Sequence, residues 1–222
     1  MIPFSYYILV GSLATASVIA LSNFKKQRNH LKLFTILLCI DLVNELIASF
    51  GFRYLKLYFH FPNNLAVYNL FVLFEFPVYA IFFMQLITFR WFRVVAISFI
   101  SGFVILWIWS FFLAFGMFAW NSYVHVAGSG FTVLLCLLYF YQVYTQEDFD
   151  NFARTTEFWI AVALFLFYVC NLPYVSLLNF LIINYPDLAF KLGIVLRILN
   201  IVMYSFIIFA YLCPKIRTMK FL

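Results

Sequence analysis

The stretch VVAISFISGFVILWIWSFFLAFGMFAWNSYVHVAGSGFTVLLCLLYFYQVYTQ (residues 94–146) decides the fold, because it contains no Asp, Glu, Lys or Arg. A helix that crosses a membrane needs about 20 mostly apolar residues. The stretch is therefore predicted to cross twice, at about 94–115 and 123–144, with residues 116–122 as the turn. Working outward from it, we predict an integral membrane protein.

The rest of the chain has the same character. Of the 222 residues, 67% are hydrophobic and 10% are charged, whereas a soluble domain is typically about 45–50% apolar and about 25% charged. We predict an all-α bundle of seven transmembrane helices that forms a single domain over residues 1–222. The five further spans are expected at about 4–23, 31–50, 65–88, 157–180 and 188–211.

The basic residues predict the orientation of the bundle. The first, third and fifth connections and the C-terminal segment together carry ten Lys and Arg, and the opposite side carries three. Cytoplasmic loops hold the excess of Lys and Arg, so we expect the N terminus outside and the C terminus in the cytoplasm. Because the basic residues cluster at helix ends, the net charge of +6 does not indicate nucleic acid as a partner.

Four charged side chains lie more than one helical turn inside the predicted spans: Asp41, Glu45, Glu75 and Arg197. All but Glu45 lie about 15 Å from a helix end, which is the middle of a ~30 Å hydrocarbon core. A charge there costs about 2.5–3.5 kcal/mol. Such groups should face the bundle interior and find partners. We therefore expect Arg197 to lie within hydrogen-bonding or one-water reach of Glu75 or Glu45.

Helical spacing places further polar residues beside these charges. Residues three or four apart share a helix face, and five of the seven helices each carry one polar seam. The fourth span lacks a seam and is expected at the edge of the bundle, and the small residues of the first span favour close packing. The candidate ligand- or ion-binding residues are Asp41, Asn44, Glu45, Tyr68, Glu75, Tyr79, His125, Asn171, Arg197 and Asn200.

Two interpretations of this polar cluster stay open. In the first, the groups are structural: Arg197 bridges Glu75 or Glu45, and the Asn and Tyr side chains satisfy the remaining partners. In the second, they line a pocket or pathway for a small polar ligand, a proton or a cation. Three carboxylates against one guanidinium leave an excess of negative charge, which a proton or a bound cation would neutralise.

The sequence shows no catalytic or cofactor motif. His30, His60 and His125 are expected in separate parts of the bundle, where they cannot converge on one metal ion, and no HExxH motif is present. The seven-helix plan resembles retinal proteins and G-protein-coupled receptors in topology only, since Lys191 lies too near the start of the last span to hold retinal. We predict no metal and no cofactor.

Two segments carry a resemblance to known proteins. The segment 38–45 (LCIDLVNE), followed by 68–71 (YNLF) and 74–76 (FEF), resembles a group of small seven-helix bacterial inner-membrane proteins whose function is unknown. The resemblance implies a multi-pass protein of the bacterial inner (plasma) membrane. It implies no activity.

The function that we predict is a non-enzymatic sensing or ligand-binding module, or an accessory subunit of a larger complex. Its pocket should lie between the second, third, fifth, sixth and seventh helices. With no attached output domain expected, it would act on a partner membrane protein or a cytoplasmic signalling protein through the acidic loop 147–157 and the basic tail. The alternatives are a proton- or cation-coupled small-molecule transporter and an intramembrane lipid-modifying enzyme.

Overall fold

The computed structural model describes residues 4–60, 62–114, 116–145 and 154–218. Within these ranges all regular structure is helical. Seven helices are long and apolar enough to cross a membrane, so the predicted all-α bundle of seven transmembrane helices is confirmed. The chain is a polytopic membrane protein.

The described residues form eight α-helices, of which seven belong to the membrane spans. A 3-10 turn links the first two helices, a π turn at Ile47–Gly51 leads into the short third helix, and a second π turn at Ser110–Ala114 extends the fifth. The helices are α1 (Phe4–Ser22), α2 (Asn29–Leu46), α3 (Phe52–Phe59), α4 (Leu65–Met84), α5 (Arg90–Trp109), α6 (Ser122–Thr145), α7 (Thr156–Asn184) and α8 (Pro186–Thr218).

The connection between α4 and α5 differs from the prediction. The third span was expected to reach residue 88, but α4 ends at Met84 and α5 begins at Arg90. The side chain of Gln142 on α6 replaces the missing helical hydrogen bonds. It accepts from the backbone N–H of Thr88 at 2.7 Å and donates to the carbonyl of Leu86 at 3.0 Å. A loop whose backbone polar groups are satisfied in this way can lie against the bundle.

The last two spans are longer than predicted. Only Tyr185 separates α7 from α8, and Pro186 opens α8 because its fixed φ angle suits the first helical position. At its other end α8 was expected to stop at residue 211, before Pro214. It continues to Thr218 instead, since a proline inside a membrane helix removes one backbone hydrogen bond without ending the helix.

Six of the helices form a closed ring. Each packs against the next in the order α1, α2, α4, α6, α7, α8, and α8 packs against α1. Helix α5 stands outside this ring against α4 and α6, as its apolar sequence predicted. The small residues Ala16, Ser17 and Ala20 of α1 are buried, and Ser17 donates a hydrogen bond to the carbonyl of Leu38 on α2.

Helices α4 and α6 approach each other closely at Gly128. A Cβ atom built on Gly128 would lie 2.1 Å from the Phe76 ring, so only glycine leaves room for that ring. Phe76 is buried and packs against Tyr168 on α7. The contact therefore fixes an aromatic side chain at the centre of the ring.

The two ends of the bundle are named here by one residue each. The end that carries the 116–121 connection is called the Trp120 end. The opposite end, with the turn between α1 and α2, is called the Lys25 end.

Candidate functional site

A cavity of about 310 Å³ lies between the six helices of the ring. Each of those helices contributes lining residues, and Trp120 contributes from the connection before α6. Helix α5 contributes none. The predicted pocket between the second, third, fifth, sixth and seventh spans is therefore present, and the first span completes its wall with Tyr6 and Leu9.

The structure brings all the sequence-predicted candidate residues together on the wall of this one cavity. They come from five helices and from distant parts of the chain. They are Asp41, Asn44 and Glu45 on α2, Tyr68, Glu75 and Tyr79 on α4, His125 on α6, Asn171 on α7, and Arg197 and Asn200 on α8.

Tyrosine hydroxyl groups hold the two deepest carboxyl groups. Tyr168 on α7 donates to Glu75 on α4 at 2.6 Å, and Tyr79 donates to the same oxygen at 3.3 Å. Tyr204 on α8 donates to Asp41 on α2 at 2.6 Å. A phenol stabilises a carboxyl group in an apolar setting without adding a second charge to be desolvated.

The third carboxyl group, on Glu45, is held in the same way nearer the Trp120 end. Tyr6 on α1 donates to Glu45, and Tyr68 on α4 donates to the same oxygen at 3.3 Å. Tyr6 also contacts Ser49. Each of the three carboxyl groups is therefore hydrogen-bonded to a tyrosine of another helix. The bonds of Glu45 join neighbouring helices of the ring, whereas those from Tyr168 to Glu75 and from Tyr204 to Asp41 join helices that are not neighbours.

Arg197 forms no direct contact with Glu75 or Glu45 in the described residues, so the hydrogen-bonded form of the expected pairing is wrong, and a contact through one water stays a prediction. The ion pairs within 4.0 Å in the described residues are Arg28–Glu157 and His30–Glu157. Neither includes Arg197, Glu75 or Glu45. The sequence argument expected the Arg197 guanidinium to contact a carboxyl group, but tyrosine hydroxyl groups make these contacts instead. The Nε atom of Arg197 is buried without a hydrogen-bond partner.

Most of the buried polar atoms without a partner, five of the eight in the described residues, belong to residues that line this cavity. Buried polar groups in proteins are nearly always hydrogen-bonded, and an exception calls for an explanation such as a water or a ligand. Among the residues that the structure describes, five lining residues each hold a buried polar side-chain atom with no partner. These atoms are Asn44 Nδ2, Trp120 Nε1, His125 Nε2, Asn171 Oδ1 and Arg197 Nε.

Trp120 was missed by the sequence argument, which treated its segment as a plain turn. Its indole ring stacks on the His125 imidazole with 4.0 Å between ring centroids. Two asparagines hold the backbone around it. Asn69 Nδ2 donates to the carbonyls of Met117 and Ala119 at 3.0 and 2.9 Å. Asn179 Nδ2 donates to the Trp120 carbonyl at 3.4 Å. The connection is thus fixed across the Trp120 end of the cavity.

A buried pair lies at the Lys25 end. His30 Nε2, at the start of α2, lies 2.8 Å from Glu157 Oε1, at the start of α7, and both side chains are buried. The sequence argument had placed His30 in the cytoplasmic connection and Glu157 in an acidic loop, without a contact between them. The other acidic residues of that loop, Glu147, Asp148 and Asp150, lie outside the described residues, as does part of the basic tail.

Within the described ranges, no three His, Cys, Asp or Glu side chains stand close enough together to hold a metal ion. The chemistry that the lining offers consists of three carboxyl groups, one guanidinium, phenols and amides. These groups recognise polar organic molecules through hydrogen bonds and charge.

Comparison with known proteins adds no relative: no family model matches the chain, and neither a curated protein nor a solved structure matches it.

Proposed function

We propose that this protein is a ligand-binding membrane module whose intramembrane cavity takes a small polar molecule. The observation that carries the proposal is the set of unpartnered polar atoms on the cavity wall, from Asn44 to Arg197. A buried polar group without a hydrogen-bond partner costs about 1–3 kcal/mol. A purely structural cluster is not expected to leave several such groups in the residues around one cavity.

Some polar groups of the cavity have partners within the protein and others have none, and this difference supports a binding role over a purely structural one. The carboxyl groups of Asp41, Glu45 and Glu75 are already held by tyrosines, so they keep a fixed geometry in the absence of a ligand. The unpartnered amides, indole and guanidinium offer the remaining hydrogen bonds. Sites with polar groups fixed in this way lose little freedom when a ligand binds.

In a sensor or accessory subunit the bound state must reach a partner. Helices α2 and α7 both line the cavity, and they meet again at the Lys25 end through His30 and Glu157. A ligand that shifts α2 against α7 therefore acts on that pair. We propose the same bundle end, with the loop 147–157 and the basic tail, as the contact surface for a membrane or cytoplasmic partner in a bacterial inner membrane.

A proton- or cation-coupled transporter is the second candidate. Pro77 lies two residues after Glu75 inside α4, and Pro173 lies two residues after Asn171 inside α7. Each proline leaves a backbone carbonyl without its helical partner, so two cavity helices carry a potential hinge beside the site. Uptake of a bound compound into proteoliposomes under a pH gradient separates transport from binding alone.

The test of ligand binding is the thermal unfolding of the purified protein in nanodiscs. The compounds are the common amino acids, their decarboxylated amines, short-chain carboxylic acids and monosaccharides. A compound that binds only the folded state raises the unfolding temperature. We expect at least one class to do so in the wild-type protein.

The control is a matched pair of substitutions on α8. Asn200 lines the cavity, and its side chain donates to the Leu196 carbonyl of its own helix. Asn200→Phe therefore fills the cavity without stranding a group on another helix. Ser205→Phe makes the same kind of change at an exposed residue bonded to the Ile201 carbonyl. Stabilisation should vanish in Asn200→Phe and persist in Ser205→Phe. The proposal is contradicted if a compound stabilises the two variants equally. It is also contradicted if no compound stabilises the wild-type protein.

A further inference from the structure

We infer that the ligand of this cavity is an amino acid with an apolar side chain, bound as a zwitterion. The inference rests on the proposed function and names the chemical class of the ligand. It assigns the ammonium group to Asp41 and Glu75, and the carboxylate to Arg197 and Trp120.

The carboxyl groups of Asp41 and Glu75 form the ammonium end of the site. Both residues line the same cavity. Each accepts from a tyrosine, and no cationic side chain lies within 4.0 Å of either one in the described part of the chain. An ammonium group brings three N–H donors and a positive charge to this excess of acceptors. Phe76 and Tyr79, close to Glu75 on α4, also line the cavity, and aromatic rings attract cations.

The carboxylate end is formed by donors that lack an acceptor. Arg197 Nε and Trp120 Nε1 are buried, line the cavity and have no hydrogen-bond partner. Asn44 Nδ2 is a third such donor, on a residue whose exposed fraction is only 8%. A guanidinium in an apolar setting needs an anion or several acceptors nearby. A carboxylate of the ligand supplies what the chain itself does not.

Charge disfavours an acid as the ligand, and the unpartnered donors disfavour an amine. A carboxylic acid would add negative charge to a cavity that already holds three carboxyl groups and one guanidinium. An amine would neutralise part of this charge but would leave the donors of Arg197 and Trp120 without an acceptor. A zwitterion satisfies both ends and does not change the net charge.

The rest of the cavity wall limits the size of the ligand and the type of side chain that it carries. Val72, Phe71, Leu196 and Met203 contribute apolar surface, which favours an apolar side chain over a polar one. Ligand pockets range from about 300 to about 1,000 Å³, and this cavity of about 310 Å³ is at the lower bound. It therefore fits one amino acid better than a peptide.

Two matched series of compounds test the inference. One consists of leucine, isoamylamine and 4-methylpentanoate, and the other of phenylalanine, 2-phenylethylamine and 3-phenylpropanoate. Within a series, only the ammonium or the carboxylate is missing. Calorimetric titration into the protein in nanodiscs should show, in at least one series, that the amino acid binds about tenfold or more tightly than its amine or its acid, since a hydrogen bond to a charged group is lost in each.

Substitutions then assign the two ends. Arg197→Gln should reduce the affinity for the amino acid to that for its amine. Arg93→Gln, at an exposed arginine on the peripheral helix α5, should leave the difference unchanged. Glu75→Gln should reduce the affinities for the amino acid and for its amine by a similar factor. If Arg197→Gln fails to fold, Arg197→Lys is used instead, because it keeps the charge and loses the Nε donor. This variant should retain only part of the preference for the amino acid over its amine.

The outcomes separate this inference from the proposed function. If the amine binds as tightly as its amino acid in the wild-type protein, the zwitterion inference is overturned and ligand binding stands. The same holds if the six compounds fail while a monosaccharide or another class stabilises the protein. If no compound of the wider panel stabilises the protein, both proposals are overturned.

Discussion

The hydroxyl group of Tyr204 on α8 donates a hydrogen bond to the carboxyl group of Asp41 on α2, with 2.6 Å between the oxygen atoms. The two residues are 163 positions apart in the sequence, and both line the central cavity. Their helices are not neighbours in the ring, because α1 packs against both of them. This bond therefore reaches across one helix position and helps to set the width of the cavity.

The first prediction concerns this bond. Tyr204→Phe removes the donor and keeps the ring, so it should lower the free energy of unfolding by about 1–2 kcal/mol. The measurement is unfolding in mixed micelles with increasing SDS. Tyr144→Phe is the control, because Tyr144 is 81% exposed. Equal stabilities of the two variants would show that the Asp41 contact contributes nothing.

The second prediction concerns the contact between α4 and α6. Gly128→Ala should destabilise the protein by about 1–3 kcal/mol, the usual cost of overpacking, because its Cβ would lie 2.1 Å from the Phe76 ring. Gly130→Ala is the control on the same helix, where the nearest side-chain atom is at 3.7 Å. Phe76→Leu combined with Gly128→Ala should recover part of the loss. A Gly128→Ala protein as stable as Gly130→Ala would contradict the packing.

The third prediction concerns the Lys25 end. Glu157→Gln should cost about 3 kcal/mol, because it breaks a buried pair with His30. Arg28 lies 3.9 Å from the same oxygen, but its side chain is 79% exposed. Arg28→Gln should therefore cost less than about 1 kcal/mol. Chemical unfolding of the two variants under identical conditions gives the comparison, and similar losses would mean that the exposed ion pair is as important as the buried one.

The fourth prediction concerns orientation. In a variant without its native cysteines, Ala119→Cys should react with a membrane-impermeant thiol reagent added to intact cells. Thr218→Cys should react only after permeabilisation. This follows from the excess of Lys and Arg at the opposite end of the bundle from Ala119. Labelling of Thr218→Cys in intact cells would reverse the orientation.

The sequence was sufficient to group the residues that line the cavity, because charged residues inside apolar runs are informative. It would cost free energy for Asp41, Glu75 or Arg197 to face lipid, so these side chains are expected in the interior of the bundle. Helical spacing then adds residues on the same helix faces, such as Asn44 and Asn200. All the candidates found in this way line one cavity. That they bind a ligand there stays a prediction.

The partners of these groups could not be predicted in the same way. With 15 Tyr and 32 Phe in the chain, Tyr6 and Tyr168 carry no distinguishing signal, and only the folded arrangement shows which phenol reaches which carboxyl group. Opposite charge suggested Arg197 as the partner of Glu75, but a neutral donor on a nearer helix occupies that position. The contact between His30 and Glu157 was missed, because the order of the helices along the chain does not show that α2 and α7 meet at the Lys25 end.

The closure of the ring through the contact of α1 with α8 has a consequence for biosynthesis. Helix α1 enters the membrane before α8, because it precedes α8 in the chain. Until α8 arrives, the ring is open along one side, and Asp41 lacks the hydroxyl group of Tyr204. Because only Tyr185 separates α7 from α8, these two helices enter as a hairpin. In nascent chains truncated before this hairpin, the carboxyl groups of Asp41 and Glu75 therefore lack the hydroxyl groups of Tyr204 and Tyr168, which is costly at membrane depth.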